Sequence, residues 1–167
     1  MKMFKYPIFA IAIILLLIAL FWNDLKILYT KFKTMAYAKF NHSENNPFNI
    51  KTNSANKWKG KTTVKGATFE SFDTLENGVR AGIIILRNYF LKYNLKTIQG
   101  IISRFAPNNE NDTQNYVNFV SDQMKIAPDE TITANKETLW KLSQAICKME
   151  NGYTLKREVY EKAFSMV

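Results

Sequence analysis

Apolar residues are spread very unevenly along this chain, and their spacing predicts its elements. From Ile8 to Trp22 (IFAIAIILLLIALFW) no position is charged or strongly polar. At 1.5 Å rise per residue such a run spans roughly 22 Å as a helix, and the apolar pattern resumes at Leu25, Ile27, Leu28 and Tyr29. A helix that is apolar on every face suits lipid better than one side of a globular core. Tyr6 and Trp22 bracket the run as interfacial aromatics, Lys2 and Lys5 can snorkel, and Pro7 suits a first helical turn. A cleaved leader needs small residues after the apolar run, whereas Phe21-Trp22-Asn23-Asp24 is bulky and charged. Residues 1–40 are therefore expected to form a single-pass membrane anchor helix and its extension.

Beyond it the pattern changes to that of one globular domain, residues 41–167. Asn41 to Asn56 is rich in Asn and Ser with a Pro, and reads as loop. Lys57 to Phe72 mixes Thr, Val, Phe and Lys with Gly60 and Gly66, which predicts a small β-hairpin. Asp73-Thr-Leu-Glu76 resembles a capping box with Asp73 as the cap, and opens a helix to about Tyr93. Leu75, Val79, Ile83, Leu86 and Phe90 lie on its core face. A second helix, about Thr97 to Phe105, should stop at Ala106-Pro107, because the residue before proline resists helical geometry. A third, Thr113 to about Lys125, turns Tyr116, Phe119 and Val120 inward. A fourth, about Lys136 to Met149, buries Leu139, Leu142 and Ile146 and is stopped by Asn151-Gly152. A last helix covers about Lys156 to Met166.

Composition narrows the chemistry. The chain has one cysteine, Cys147, and one histidine, His42. No intramolecular disulfide is possible, a Cys/His zinc site is out of reach, and no cofactor or metal is expected. A Ser-His-Asp or Cys-His-Asn triad would need His42 as its base. Catalysis here is expected to run on carboxylates. The net charge of +9 is concentrated at the front: residues 1–40 carry six lysines against one aspartate. Basic balance suits anionic lipid, nucleic acid or an anionic polymer such as a cell wall. Lys51, Lys57, Lys59, Lys61 and Lys65 form an acid-free stretch, which suits a solvated face first and attraction to anionic polymer second. No nucleic-acid-binding module is present, so no specific nucleic acid is expected as a partner. Cys147 reads as a small buried apolar residue.

The segment Asn45-Asn-Pro-Phe-Asn-Ile50 followed by Trp58-Lys-Gly60 offers amide donors and acceptors beside a flat apolar ring. Asn45, Asn46, Asn49 and Trp58 suit a sugar with acetamido groups. They also suit a turn-rich loop capped by Asn and pinned by a buried Trp.

These pieces recur in order with Phe72-Asp-Thr-Leu-Glu-Asn-Gly-Val-Arg-Ala81, Thr97-Ile98, Ile101-Ile-Ser-Arg-Phe-Ala-Pro107, Glu110-Asn-Asp-Thr113, Tyr116 and Met149-Glu-Asn-Gly152. The set, covering about Asn45 to Gly152, resembles a family of phage and prophage virion proteins. That family is similar to the lytic enzyme of enveloped double-stranded RNA phages, with its lytic-transglycosylase-like, lysozyme-related fold. The run Asn45 to Gly60 also looks like the Asn-Asn-Leu-Phe-Gly-Ile-Lys and Trp-x-Gly segments of bacterial glucosaminidases. The resemblance implies a mainly α chain: a transmembrane helix plus a lysozyme-like helical domain, at 41–167, with a small β-hairpin. It implies peptidoglycan hydrolysis during phage entry or release, with Asn45, Asn46, Asn49, Trp58 and Tyr116 binding substrate. Expected partners are peptidoglycan, a lipid membrane and other virion proteins. A non-catalytic glycan-binding virion protein and a peptidoglycan endopeptidase remain alternatives.

In glucosaminidases the catalytic Glu precedes the Asn-Asn segment, yet residues 1–43 contain no Glu. Candidates for the acid are Glu150, Glu76 and Glu44, with Glu70 behind them. Glu150 ends an amphipathic helix and is followed by Asn151-Gly152, and lysozyme-like enzymes place their acid at such a helix end. Apolar neighbours such as Ile146 and Met149 suit a carboxyl that must hold a proton. Glu76 has a sufficient role in the capping box, and Glu44 sits in a loop. With no obvious second carboxylate, a single-acid mechanism is expected, in which the sugar's own C6 hydroxyl replaces water.

Overall fold

The structure, a computed structural model, describes residues 21–22, 24–31, 44–108 and 112–167. It divides into two units, Met1–His42 and Ser43–Val167. In the first, residues 24–31 form a helix, α1. The second holds α2 (Leu75–Leu91), α3 (Ile98–Phe105), α4 (Thr113–Met124), α5 (Lys136–Asn151) and α6 (Arg157–Phe164).

Of the helices of the second unit, α2 to α5 each begin at a side-chain cap, and α6 has none. The Thr74 hydroxyl caps α2 by accepting the Asn77 N–H, Thr97 caps α3 through Gly100, Asp112 caps α4 through Asn115, and Asn135 caps α5 through Thr138. α3 stops where predicted: Ala106, ahead of Pro107, leaves the helical region with φ −131° and ψ 78°. Its freed carbonyl accepts a hydrogen bond from the buried Thr113 hydroxyl, which ties the start of α4 to the end of α3. α5 ends at Gly152, whose φ of 72° sends its N–H back to the Lys148 carbonyl.

The apolar stripes meet in one core. α2 packs on α5 and α6, while α4 lies between α3 and α5. Val79, Ile83 and Leu86 of α2 face Leu139, Leu142 and Ile146 of α5, with Ile98, Ile101, Ile102, Val117 and Val120 completing the cluster. Segment 44–72 covers one side of α2 through Phe48, Ile50 and Phe72, all buried. Two glycines make that cover possible. A Cβ on Gly78 would overlap the Asn45 carbonyl oxygen, and one on Gly82 would overlap the Phe48 ring.

Three expectations are corrected. The fold is mainly helical, but among the described residues no helix is long and apolar enough to cross a membrane. α1 carries Asp24, Lys26 and Lys31, charges that a hydrocarbon core resists. Residues 8–20 of the expected span lie outside the described residues. Nor is there a β-hairpin: the described residues contain no strand, only two isolated antiparallel bridges, Lys51 with Phe69 and Lys61 with Phe72. Positive φ at Gly60 and Gly66 interrupts the ladder, and side chains satisfy the backbone instead: Ser71 donates to the Thr63 hydroxyl and Asn53 to the Glu70 carboxylate. Finally, Thr74 rather than Asp73 caps α2; Asp73 instead accepts from the Asn77 side chain at 2.8 Å.

Candidate functional site

The end of α5 and the loop 44–50 are far apart in sequence but close in space. Asn151 donates to the Pro47 carbonyl at 2.7 Å, which fastens the loop to the helix end. One residue earlier, the Glu150 carboxyl is held on both oxygens. Asn49 Nδ2 donates to Oε2 at 2.7 Å, and the Tyr116 hydroxyl donates to Oε1 at 2.9 Å. Asn49 reaches it from a left-handed backbone conformation, φ 45°, which Asn tolerates better than most residues.

Tyr116, buried on α4, stands edge-on to Phe105. Burial, and next the adjacent Glu150 carboxylate, push its phenol far above the ordinary range. It is a fixed hydrogen-bond donor to Glu150 and keeps its own proton near neutrality.

Glu150 lines a cleft of about 430 Å³ together with Phe48, Asn49, Lys51, Tyr89 and Phe105. A wider lobe adjoins it, sharing Ile50, Lys51, Ile85 and Tyr89 and adding Asn53, Asn56, Trp58, Tyr93 and Arg104. The two lobes make a groove with aromatic faces and amide side chains along it. Glu150 is the one carboxylate among the described residues lining either lobe.

The other candidates fall elsewhere. Glu44 is exposed, and its backbone rather than its carboxyl is engaged, with Phe72 and Ser71. Glu76 pairs with Lys162 at 3.0 Å, tying α2 to α6. A hydrogen bond from its own backbone N–H in the first turn of α2, and then Lys162, hold its carboxyl below the ordinary range. Glu70 is fully buried and accepts from Lys61, Thr63 and the Asn53 N–H, a structural node rather than a surface group.

Of the expected sugar-binding asparagines, only Asn49 faces the cleft. Asn45 donates to the Phe72 carbonyl, and buried Asn46 donates to the Ile50 and Glu70 carbonyls while accepting the Ile50 N–H. Both side chains hold the loop backbone, as amide side chains do for irregular buried backbone. Trp58 lines the wider lobe and also packs against the core, its indole N–H buried with no partner among the described residues.

Sequence reasoning gave no role to Tyr89, Phe105 or Arg104. Tyr89, in the last turn of α2, and Tyr93, just past its end, were the available signal. Cys147 is buried, and burial pushes its thiol above the ordinary value, so it offers no ready thiolate. Among the described residues no cluster of metal-ligating side chains occurs.

No protein-family model matches the chain. Over 111 residues it is 45% identical to a protein called Protein P5, of Pseudoalteromonas phage PM2; the match covers 65% of this chain and 68% of that protein.

Proposed function

The chain belongs to the family of Protein P5 of phage PM2, and from that premise we propose that it is a virion-associated phage protein whose globular unit cleaves the glycan strands of bacterial peptidoglycan. The observation that carries this reading is the grip on Glu150: one carboxyl on a cleft wall, oriented by Tyr116 and Asn49, with no second acid lining the groove among the described residues. A glycosidase working through a carboxylate nucleophile or an activated water typically uses two carboxylates several ångströms apart. A lone carboxyl suits the transglycosylase route. Protonated Glu150 gives its proton to the glycosidic oxygen as the C1–O bond breaks. The carboxylate then takes the proton of the same sugar's C6 hydroxyl as that oxygen bonds to C1. The product is an anhydro-sugar end, and Glu150 is protonated again.

Tyr116 and Asn49 keep the carboxyl in one rotamer, so that little orientation is left to arrange in the transition state. Trp58 and Tyr89 supply flat apolar faces for the sugar rings, which carry C–H groups on their faces and hydroxyls at their edges.

Incubation of the full chain with purified peptidoglycan, followed by mass spectrometry of the soluble products, tests the reading. Fragments ending in anhydro-sugars support it. Reducing ends would point to hydrolysis, cut stem peptides to an endopeptidase, and no release to a glycan-binding virion protein.

A further inference from the structure

The wider lobe of the groove holds a feature that cleavage at Glu150 does not use. Arg104, in the last turn of α3, lays its guanidinium over the Tyr93 ring, 3.5 Å from the centroid, and within 5.6 Å of the Tyr89 centroid. Tyr89 and Tyr93 meet edge to face with centroids 6.2 Å apart, so the cation sits over the Tyr93 ring with the Tyr89 ring beside it. A guanidinium anchored on a ring face in this way still has N–H donors free for a ligand. Among the described residues no carboxylate pairs with Arg104, and it lines the same lobe as Trp58 and Asn53. A pre-set planar fork of this kind matches a carboxylate, which can accept from two N–H groups at once. A favourable interaction with the α3 carboxyl-terminal dipole accounts for a basic residue there, but not for its place over Tyr93 and beside Tyr89 at the groove wall.

We propose that the Arg104–Tyr93–Tyr89 cluster is an anion subsite that binds a carboxylate carried by the glycan strand. This rests on the reading of the groove as a glycan cleft and adds to it a preference for anionic over neutral chains. Two carboxylates on such a strand have the required chemistry: that of the lactyl ether on the sugar, where the peptide is absent, and those of the stem peptide.

The test is calorimetric binding by the full chain carrying Glu150→Gln, so that probes stay intact. The probes are soluble peptidoglycan strands with free stem carboxylates, the same strands with those groups amidated, and peptide-free strands with free lactyl carboxylates. Amidation is expected to weaken binding about ten-fold, the size of a charge-assisted pair. Adding Arg104→Ala is expected to weaken the free-carboxylate strands by a similar factor and to abolish the difference between free and amidated strands. Peptide-free strands that bind about ten-fold more tightly than amidated stem-bearing strands assign the subsite to the lactyl group; peptide-free strands that bind no more tightly than amidated ones, while free stem-bearing strands do, assign it to the stem. Equal binding of all three probes, or discrimination that survives Arg104→Ala, overturns the subsite and leaves the glycan cleft standing. Failure of all three probes to bind overturns both.

Discussion

Glu150 and Glu70 are each held by several donors, yet they do opposite work. Glu70 is wholly enclosed: Lys61, Thr63 and the Asn53 N–H saturate it, and it knits together a segment that has almost no backbone ladder. Glu150 has two donors and one open side, facing a cleft. A carboxylate satisfied on every side is a fastener. One oriented on one side and open on the other is available to a ligand. The count of hydrogen bonds is not what separates them; the open face is.

The sharpest way to break this comparison is a pair of substitutions with mirrored outcomes. Glu150→Gln keeps size and shape but cannot deliver a proton, so release of soluble peptidoglycan fragments should fall by about 10³-fold while Tm stays nearly constant. Glu70→Ala should do the reverse to stability: leaving Lys61, Thr63 and Asn53 without their shared acceptor is expected to cost about 3 kcal/mol, read in urea unfolding. If Glu70→Ala left the midpoint unchanged, Glu70 would not be the fastener described.

The docking of loop 44–50 comes next. Gly78→Ala forces a methyl group into the Asn45 carbonyl, which is backbone and cannot swing aside. A loss of about 2 kcal/mol is expected, and activity should drop with it because Asn49 rides on that loop. An unchanged melting curve would mean that the loop is not seated on α2 as described.

Tyr116→Phe sharpens the comparison at Glu150 itself. It keeps the ring against Phe105 but removes the donor to Oε1, and should lower the cleavage rate about ten-fold with little change in substrate binding. A loss as large as that of Glu150→Gln would make the phenol a participant rather than an orienting group.

The smallest effect belongs to Glu76→Gln. Glu76 is depressed below its ordinary 4.5, so the folded state favours its charged form. The resulting stability is present above that value and fades as pH falls through the lower folded value. The substitution should cost about 0.5 kcal/mol at pH 7 and nothing in strong acid. Equal cost at both pH values would remove the Lys162 pair as its cause.

Read alone, the amino-acid sequence determined the helices of the second unit to within a turn, because periodicity, caps and Pro107 act within a few neighbouring residues. It also determined that Asn151-Gly152 ends α5 and leaves Glu150 at a helix end. It did not distinguish Asn49 from Asn45 and Asn46: all three are amides in one loop, and only docking on Gly78 and Gly82 turns one toward Glu150 and the other two into the loop. The expected hairpin failed for a related reason. Gly60 and Gly66 leave segment 57–72 without a preferred local form, so its shape comes from partners outside it such as Glu44, Ile50 and Thr52. The meeting of Asn49, Tyr116 and Glu150 was decided by tertiary structure alone. Their side chains come from three separate elements, and only burial of the shared apolar stripes of α2, α4 and α5 brings those elements into contact.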